Sequence, residues 1–271
     1  MVITAVKAES EPVVSLAATT RIVLVVEYDG TRYFGFQLQA DLPTIQGNIE
    51  EALEKLTGEK IRLIAASRTD TGVHARGQVV SFRTKSAHSV PTFVKGLNYY
   101  LPADIAVKAA HRVRDQFNVR RHAVSREYRY TILNSETRSP LIAGFSYRVV
   151  GHLDIGIMNQ ACQALIGQHD FASFTSGVDL GLKSTVRRVN QARVSRDGEL
   201  VIFEIAASSF LPHQVRNTVG ALVRVGQGKM SVEEFCSIMG ARKPGLAGPT
   251  VPAGGLSLMQ VNYTHPFEEE I

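Results

Sequence analysis

A chain of 271 residues with 44% hydrophobic and 20% charged side chains can bury a sizeable core, which excludes a disordered or low-complexity protein. The formal charge is only +5, so composition alone lends a nucleic-acid partner weak support and the distribution of charge has to decide. Two distant cysteines, Cys162 and Cys236, exclude a disulfide framework and a cysteine-based zinc site and suit a reducing cytoplasm, and no apolar run reaches the roughly 18 residues of a membrane span.

Residues 1–20 carry Lys7, Glu9 and Glu11 ahead of a short apolar patch, the wrong order for a secretory signal, and are expected to form a disordered tail. From Ile22 to Val26 the residues are continuously apolar and end at Tyr28-Asp29-Gly30, which predicts a buried strand and a turn. Thr44 can cap a helix in which Ile45, Ile49, Leu53 and Leu56 share one face, and Gly58 stops it. Strands over 61–66 and 78–83, a helix over 90–100 and a strand over 105–113 complete a β-α-β-β-α-β order, the ferredoxin-like unit. The eleven residues 67–77 are too many for a tight hairpin and are expected at a sheet edge or mouth.

A comparable order recurs. A strand over 126–133, a helix over 154–166 and a hairpin over 187–207 around Asp197-Gly198 come first. Pro212 then opens a helix that buries Val215, Val219 and Leu222, the capping box of Ser231 and Glu234 opens another ending near Gly240, and residues 255–263 form a closing strand. The pattern predicts an α+β chain of two ferredoxin-like halves with mainly antiparallel sheets, 21–123 and 124–271, the first carrying the long 67–77 connection.

The positive charge is concentrated. Six arginines lie between Arg112 and Arg129 against two acids, and Lys183, Arg187, Arg188, Arg193 and Arg196 form a second window with no acid at all. Guanidiniums bind phosphates bidentately and position a nucleic acid without reading its sequence, so two such windows favour a phosphate-binding surface over a merely solvated face.

The stretch Ser67-Arg68-Thr69-Asp70-Thr71-Gly72-Val73-His74-Ala75-Arg76-Gly77-Gln78 places a carboxylate, two guanidiniums and an imidazole within nine residues, and Gly72 and Gly77 permit backbone turns. By composition alone, Asp70 capping its own loop and pairing with Arg68 is the plainer account. A metal site from Asp70, His74, His111, His122 and His213 is weaker, because no His-x-x-x-His pair sets two imidazoles on one helix face. A Ser-His-Asp hydrolase is weaker still, for want of a Gly-x-Ser-x-Gly elbow. Tyr128 alone reads as a cross-strand packing residue and Arg216 as a helix-surface arginine.

Seven ordered segments change that balance: Glu27-Tyr28-Asp29-Gly30 with Phe34-Gly35-Phe36-Gln37, Arg68 to Gln78, Leu101-Pro102-x-Asp104-Ile105, Arg126-x-Tyr128-Arg129-Tyr130, Gly167-x-His169-Asp170-Phe171-x-Ser173-Phe174, Val215-Arg216-Asn217-x-Val219-Gly220, and Gly255-Leu256. Together they resemble the tRNA pseudouridine synthase A (TruA) family over nearly the whole span from Arg21 to Tyr263. The resemblance implies the pseudouridine synthase fold, its two sheets joined around a central cleft, and a cytoplasmic homodimer that converts uridines 38, 39 and 40 of the tRNA anticodon stem-loop to pseudouridine. It implies no metal and no cofactor. It assigns catalysis to Asp70, the uracil site to Tyr128, and pairing with the aspartate to Arg216. Arg68 is expected at the substrate too, and Arg76, Arg187 and Arg188 on the RNA.

Those residue types suit the reaction, which breaks the C1′–N1 bond, turns the base and joins C5 to C1′. A carboxylate can add to the sugar carbon or stabilise its positive charge and later assist proton removal; attack at C1′, attack at C6 and deprotonation at C2′ all remain open. A tyrosine offers a ring for stacking and a hydroxyl for proton transfer. Ser67, Thr71 and Phe36 stand where the family usually has glycine, alanine and tryptophan, and the segment from Leu211 to Gln214 also departs from its pattern. The alternative is a non-catalytic tRNA-binding protein of the same fold, which would have no reason to keep Asp70, Tyr128 and Arg216 together.

Overall fold

The computed structural model describes residues 19–176, 184–265 and 267. Nearly all of the expected N-terminal tail, and Lys183 of the second basic window, lie outside the described residues; Thr20 already belongs to the first strand.

The first half runs β1 (Thr20–Tyr28), α1 (Ile45–Thr57), β2 (Ile64–Ala65), β3 (His74–Thr84), α2 (Val90–Tyr100) and β4 (Ile105–Val113). The predicted caps of α1 are present: Thr44 Oγ1 accepts from the Gly47 N–H, and Gly58 takes a left-handed conformation with its N–H on Glu54 O. The second half runs β5 (Ala123–Asn134), β6 (Tyr147–Val149), α3 (Ile155–Gln163), β7 (Gly167–Asp170), β8 (Val186–Asp197), β9 (Leu200–Ala207), α4 (Gln214–Gly226), α5 (Val232–Ala241) and β10 (Leu256–Tyr263). Among the described residues no helix is long and apolar enough to cross a membrane.

The sheet order is β4-β1-β3-β10-β5-β9-β8-β7, with β2 also on β3 and β6 on β5. In the first half this gives β4-β1-β3-β2 and in the second β10-β5-β9-β8, the same arrangement twice, with β7 added at the far edge. The halves join where β10 lies parallel to β3, pairing Ser257 with His74 and Leu258 with Ala75. Farther along the same edge of β3, β2 pairs with Val80 and Ser81. One strand edge is thus shared by two neighbours, and residues 66–73, which connect β2 to β3, emerge at the fork between them. One hydrophobic cluster runs through both halves, with α1 against α2 and α3 against α4.

Three differences from expectation bear on the site. The second strand covers only Ile64–Ala65 instead of 61–66, because the Leu63 N–H is taken by the Glu50 carboxylate. The third begins at His74 rather than 78, shortening the connecting loop to residues 66–73. Gly77 therefore lies within a strand and makes no turn; a Cβ there would stand 2.6 Å from Met259 O, so glycine permits the close approach of β10.

Arg126, counted among the candidate phosphate-binding charges, is a structural crosslink. It is 7% exposed, and its guanidinium donates to the carbonyls of Ala66, Arg120, Ala123 and Ser208. Arg126→Met should destabilise the chain by about 3 kcal/mol, since four carbonyls lose their donor; thermal unfolding checks this, and an unchanged Tm would contradict it. Other window arginines are also engaged within the chain: Arg129 and Arg193 share Glu204, and Arg196 bonds Asn134.

Candidate active site

The loop at the fork is fixed carbonyl by carbonyl. Arg126 donates to Ala66 O, Gln78 Nε2 to Ser67 O at 2.9 Å, the Phe36 N–H to Thr69 O at 3.0 Å, and the Val73 N–H to Asp70 O at 3.1 Å. Gly72 supplies the one positive φ of the turn, 77°. The Thr69 hydroxyl bonds that of Tyr28 at 2.8 Å. Backbone so constrained holds the Asp70 side chain in a narrow range of positions before any ligand arrives.

Asp70 Oδ2 lies 3.6 Å from Arg216 Nη1 and 3.5 Å from His213 Nε2. Arg216 is aimed by its Nε, which donates to Val251 O at 2.8 Å. Asp70 Oδ1 takes no hydrogen bond or ion pair among the described residues, so one carboxylate oxygen is held and the other is open to a ligand. Among the described residues the Asp70 carboxylate neither caps its own loop nor pairs with Arg68, the account that composition alone favours.

Beside Asp70 opens a cavity of about 680 Å3, lined by residues 65–70, Tyr128, Arg120, Arg126, Arg187 and residues 208–216. Tyr128 comes from β5, only 6% exposed, with its hydroxyl 3.0 Å from Ser67 Oγ and its ring edge-on to Phe210 at 5.1 Å. Burial pushes its phenol up to about 12, against the Ser67 hydrogen bond, so it carries its proton throughout the neutral range. Tyr28, Tyr33, Tyr130 and Tyr263 are likewise pushed upward, in each case chiefly by burial. A raised folded-state value contributes stability that is full below the unfolded value of about 10 and lost as pH rises through the folded one. The chain should therefore lose stability steeply from about pH 10 upward; denaturant midpoints across alkaline pH check this, and a flat stability between pH 9 and 12 would contradict it.

The other expected residues are distributed around the cleft. Arg68 is exposed at the cavity mouth, whereas Arg76 is exposed on β3 and is not among the lining residues. Arg187 lines the cavity with its guanidinium on Ser184 O and Val186 O, and its next neighbour Arg188, exposed, points to the opposite face of β8.

His213 is the residue beside Asp70 to which sequence reasoning gave no role in the site. It is the N-cap of α4, in a left-handed conformation (φ 60°) that also delays the helix two residues past Pro212. It was a candidate only for metal, although its position three residues before Arg216, on a helix start, could have flagged it. The metal candidates do not converge: His74 is buried against Gly30, Gly144 and Gly254, His111 stacks on Phe267, and His122 packs on Phe117. Among the described residues no cluster of three His, Cys, Asp or Glu side chains is placed to hold a metal ion.

The family described as tRNA pseudouridine synthase matches residues 24–120 and 161–264, which include Asp70, His213 and Arg216, while Arg126 and Tyr128 fall between the two matched segments. The tRNA pseudouridine synthase A of Geobacter sp. (strain M21) is 43% identical over 243 residues, covering 89% of this chain and 98% of that protein. The chain belongs to the tRNA pseudouridine synthase A family. The family's protein from Roseiflexus castenholzii is 44% identical over 247 residues, covering 89% of this chain and 90% of its own. A solved Cbf5-Nop10-Gar1 complex is similar at 10% identity and a TM-score of 0.34, covering 90% of this chain and 59% of that one. Membership in the family makes the chain an isomerase, and the α+β architecture of two joined halves is the one its sequence pattern predicted.

Proposed function

We propose that the chain, as halves 21–123 and 124–271 of a cytoplasmic homodimer, isomerises uridine to pseudouridine at positions 38, 39 and 40 of the tRNA anticodon stem-loop, without metal or cofactor, with Asp70 as the catalytic residue. Family membership supports the tRNA reaction. The observation that carries the residue assignment is the Asp70 carboxylate, one oxygen held between Arg216 and His213 and the other open, on the wall of a cavity that also contains Tyr128.

In this reading the uracil enters the 680 Å3 cavity against Tyr128 and Phe210. Oδ1 of Asp70 faces the reacting sugar or base while Arg216, 3.6 Å from Oδ2, keeps the carboxylate oriented. The C1′–N1 bond breaks with its electron pair left on N1, C5 joins C1′, the hydrogen on C5 leaves as a proton, and N1 takes up a proton, so the product is an isomer of the substrate. Arg68 at the mouth and Arg187 inside the cavity supply positive charge for the flanking phosphates, and Arg76 and Arg188 do so farther out.

Loss of the C5 hydrogen gives the test: tRNA transcript carrying [5-3H]uridine should release tritium to water on incubation with the chain after chelator treatment. Tight tRNA binding with no release would support the non-catalytic alternative instead. Arg187→Ala and Arg188→Ala should each weaken tRNA binding and lower the dependence of log affinity on log salt by about one unit per lost phosphate contact, with saturated turnover little changed for Arg188→Ala. An unchanged salt slope in both would make the window a solvated face.

A further inference from the structure

Asp70 borders two cavities. The second, about 360 Å3, is lined by residues 34–37, Gln39 and residues 68–71, with His213 and Arg216. Residues 68–70, His213 and Arg216 wall both spaces, so they are the partition between them. The far wall carries Phe34, 45% exposed. An aromatic ring left in water is ordinarily buried when the chain can fold over it; here the loop instead fixes it outward.

That loop is rigidly tied. The Phe34 N–H donates to Pro43 O at 2.9 Å, and its carbonyl accepts from Gln39 Nε2. Gly35 has φ 88° and no room for a side chain, since a Cβ would stand 2.8 Å from Thr69 O. Phe36 donates to that same carbonyl, one residue before Asp70. The loop that presents the ring is thus bolted to the loop that presents the carboxylate, and the two keep a constant separation. The Gln37 amide, on the same wall, has no partner among the described residues.

We propose that this second cavity is a subsite for the nucleotide adjacent to the target uridine, whose base stacks on Phe34 and is met at its edge by Gln37. The proposal rests on the reading that Asp70 acts on the target nucleotide. With the target base in the larger cavity and its sugar at the partition, chain connectivity carries the next nucleotide to the other side. Arg68, exposed on the partition, then faces the phosphate between the two. Splayed-out bases stack on exposed aromatic rings with little regard to identity, so Phe34 holds the strand and Gln37 supplies what base preference there is.

The experiment uses the full chain and four substrates: intact tRNA, and tRNA ligated with an abasic nucleotide on the 5′ side, on the 3′ side, or on both sides of the uridine that the wild-type chain modifies. Removing one of the two neighbouring bases should lower kcat/KM of the wild type about tenfold, and Phe34→Ala should cost a similar factor on intact tRNA. The losses should not add: Phe34→Ala should be indifferent to the abasic neighbour, and Phe34→Trp should restore the dependence. Equal abasic penalties in wild type and Phe34→Ala, or full activity of Phe34→Ala on intact tRNA, would overturn the subsite. A Phe34→Ala effect confined to oligomeric state would assign the ring to a second copy of the chain and reject the subsite as well. If the wild type forms no pseudouridine on intact tRNA, the reading of Asp70 fails first and the subsite falls with it.

Discussion

Asp70→Asn is expected to lower turnover by roughly 10⁴-fold or more, the scale seen when a group that bonds to the reacting centre is removed, while tRNA affinity stays within a few-fold of wild type. Asparagine keeps the shape of the side chain, and the loop that holds it is anchored through carbonyls of Ala66, Ser67, Thr69 and Asp70 itself, none of which the substitution touches. What changes is the charge on the oxygen between Arg216 and His213 and the basicity of the open one. Binding should hold or tighten slightly, because an anion near the phosphates of the bound RNA is removed. Single-turnover tritium release together with filter binding separates the two quantities. A variant that loses affinity and rate in parallel would make Asp70 a binding residue.

Arg216→Met should reduce kcat by about 10²-fold with little change in tRNA affinity. The guanidinium does two jobs that one point charge cannot: Nε is fixed on Val251 O at 2.8 Å, and Nη1 lies 3.6 Å from Asp70 Oδ2. Methionine keeps the stem packing and loses both, leaving His213 alone at 3.5 Å. Arg216→Lys should recover part of the rate, as the charge returns without the fork. In the Asp70→Asn background Arg216→Met should cost little more, because the two act as one unit. Additive losses would show that Arg216 serves the substrate independently of the carboxylate.

The fold was largely legible because each long element carried its own period. Ile22 to Val26, the stripe of Ile45, Ile49 and Leu53, and the capping box at Ser231 appear where the pattern placed them. The short pieces escaped. Strands β6 and β7, of three and four residues, are too brief for a period to register, and β2 lost residues 61–63 because a side chain, Glu50, takes a backbone donor. The pairing of β3 with β10 spans some 180 positions and only two residue pairs, which no local pattern encodes. In the site, residues 68–70, Tyr128 and Arg216 could be named from ordered segments. His213 could not be given its place beside Asp70, since that depends on a left-handed backbone at the start of α4. Charge counting misjudged Arg126, Arg129 and Arg193, whose guanidiniums bond this chain's own carbonyls and Glu204; windows of like charge along strands β5 and β8 do not show what lies across the sheet.

The most direct measurement is to incubate the chain with an unmodified tRNA transcript, with chelator and no added metal, and to map pseudouridine at nucleotide resolution, with Asp70→Asn in parallel. Pseudouridine confined to positions 38, 39 and 40 in the wild-type reaction and absent from the variant is the predicted result. No pseudouridine with the wild type, or the same pattern from the Asp70→Asn variant, would contradict the account.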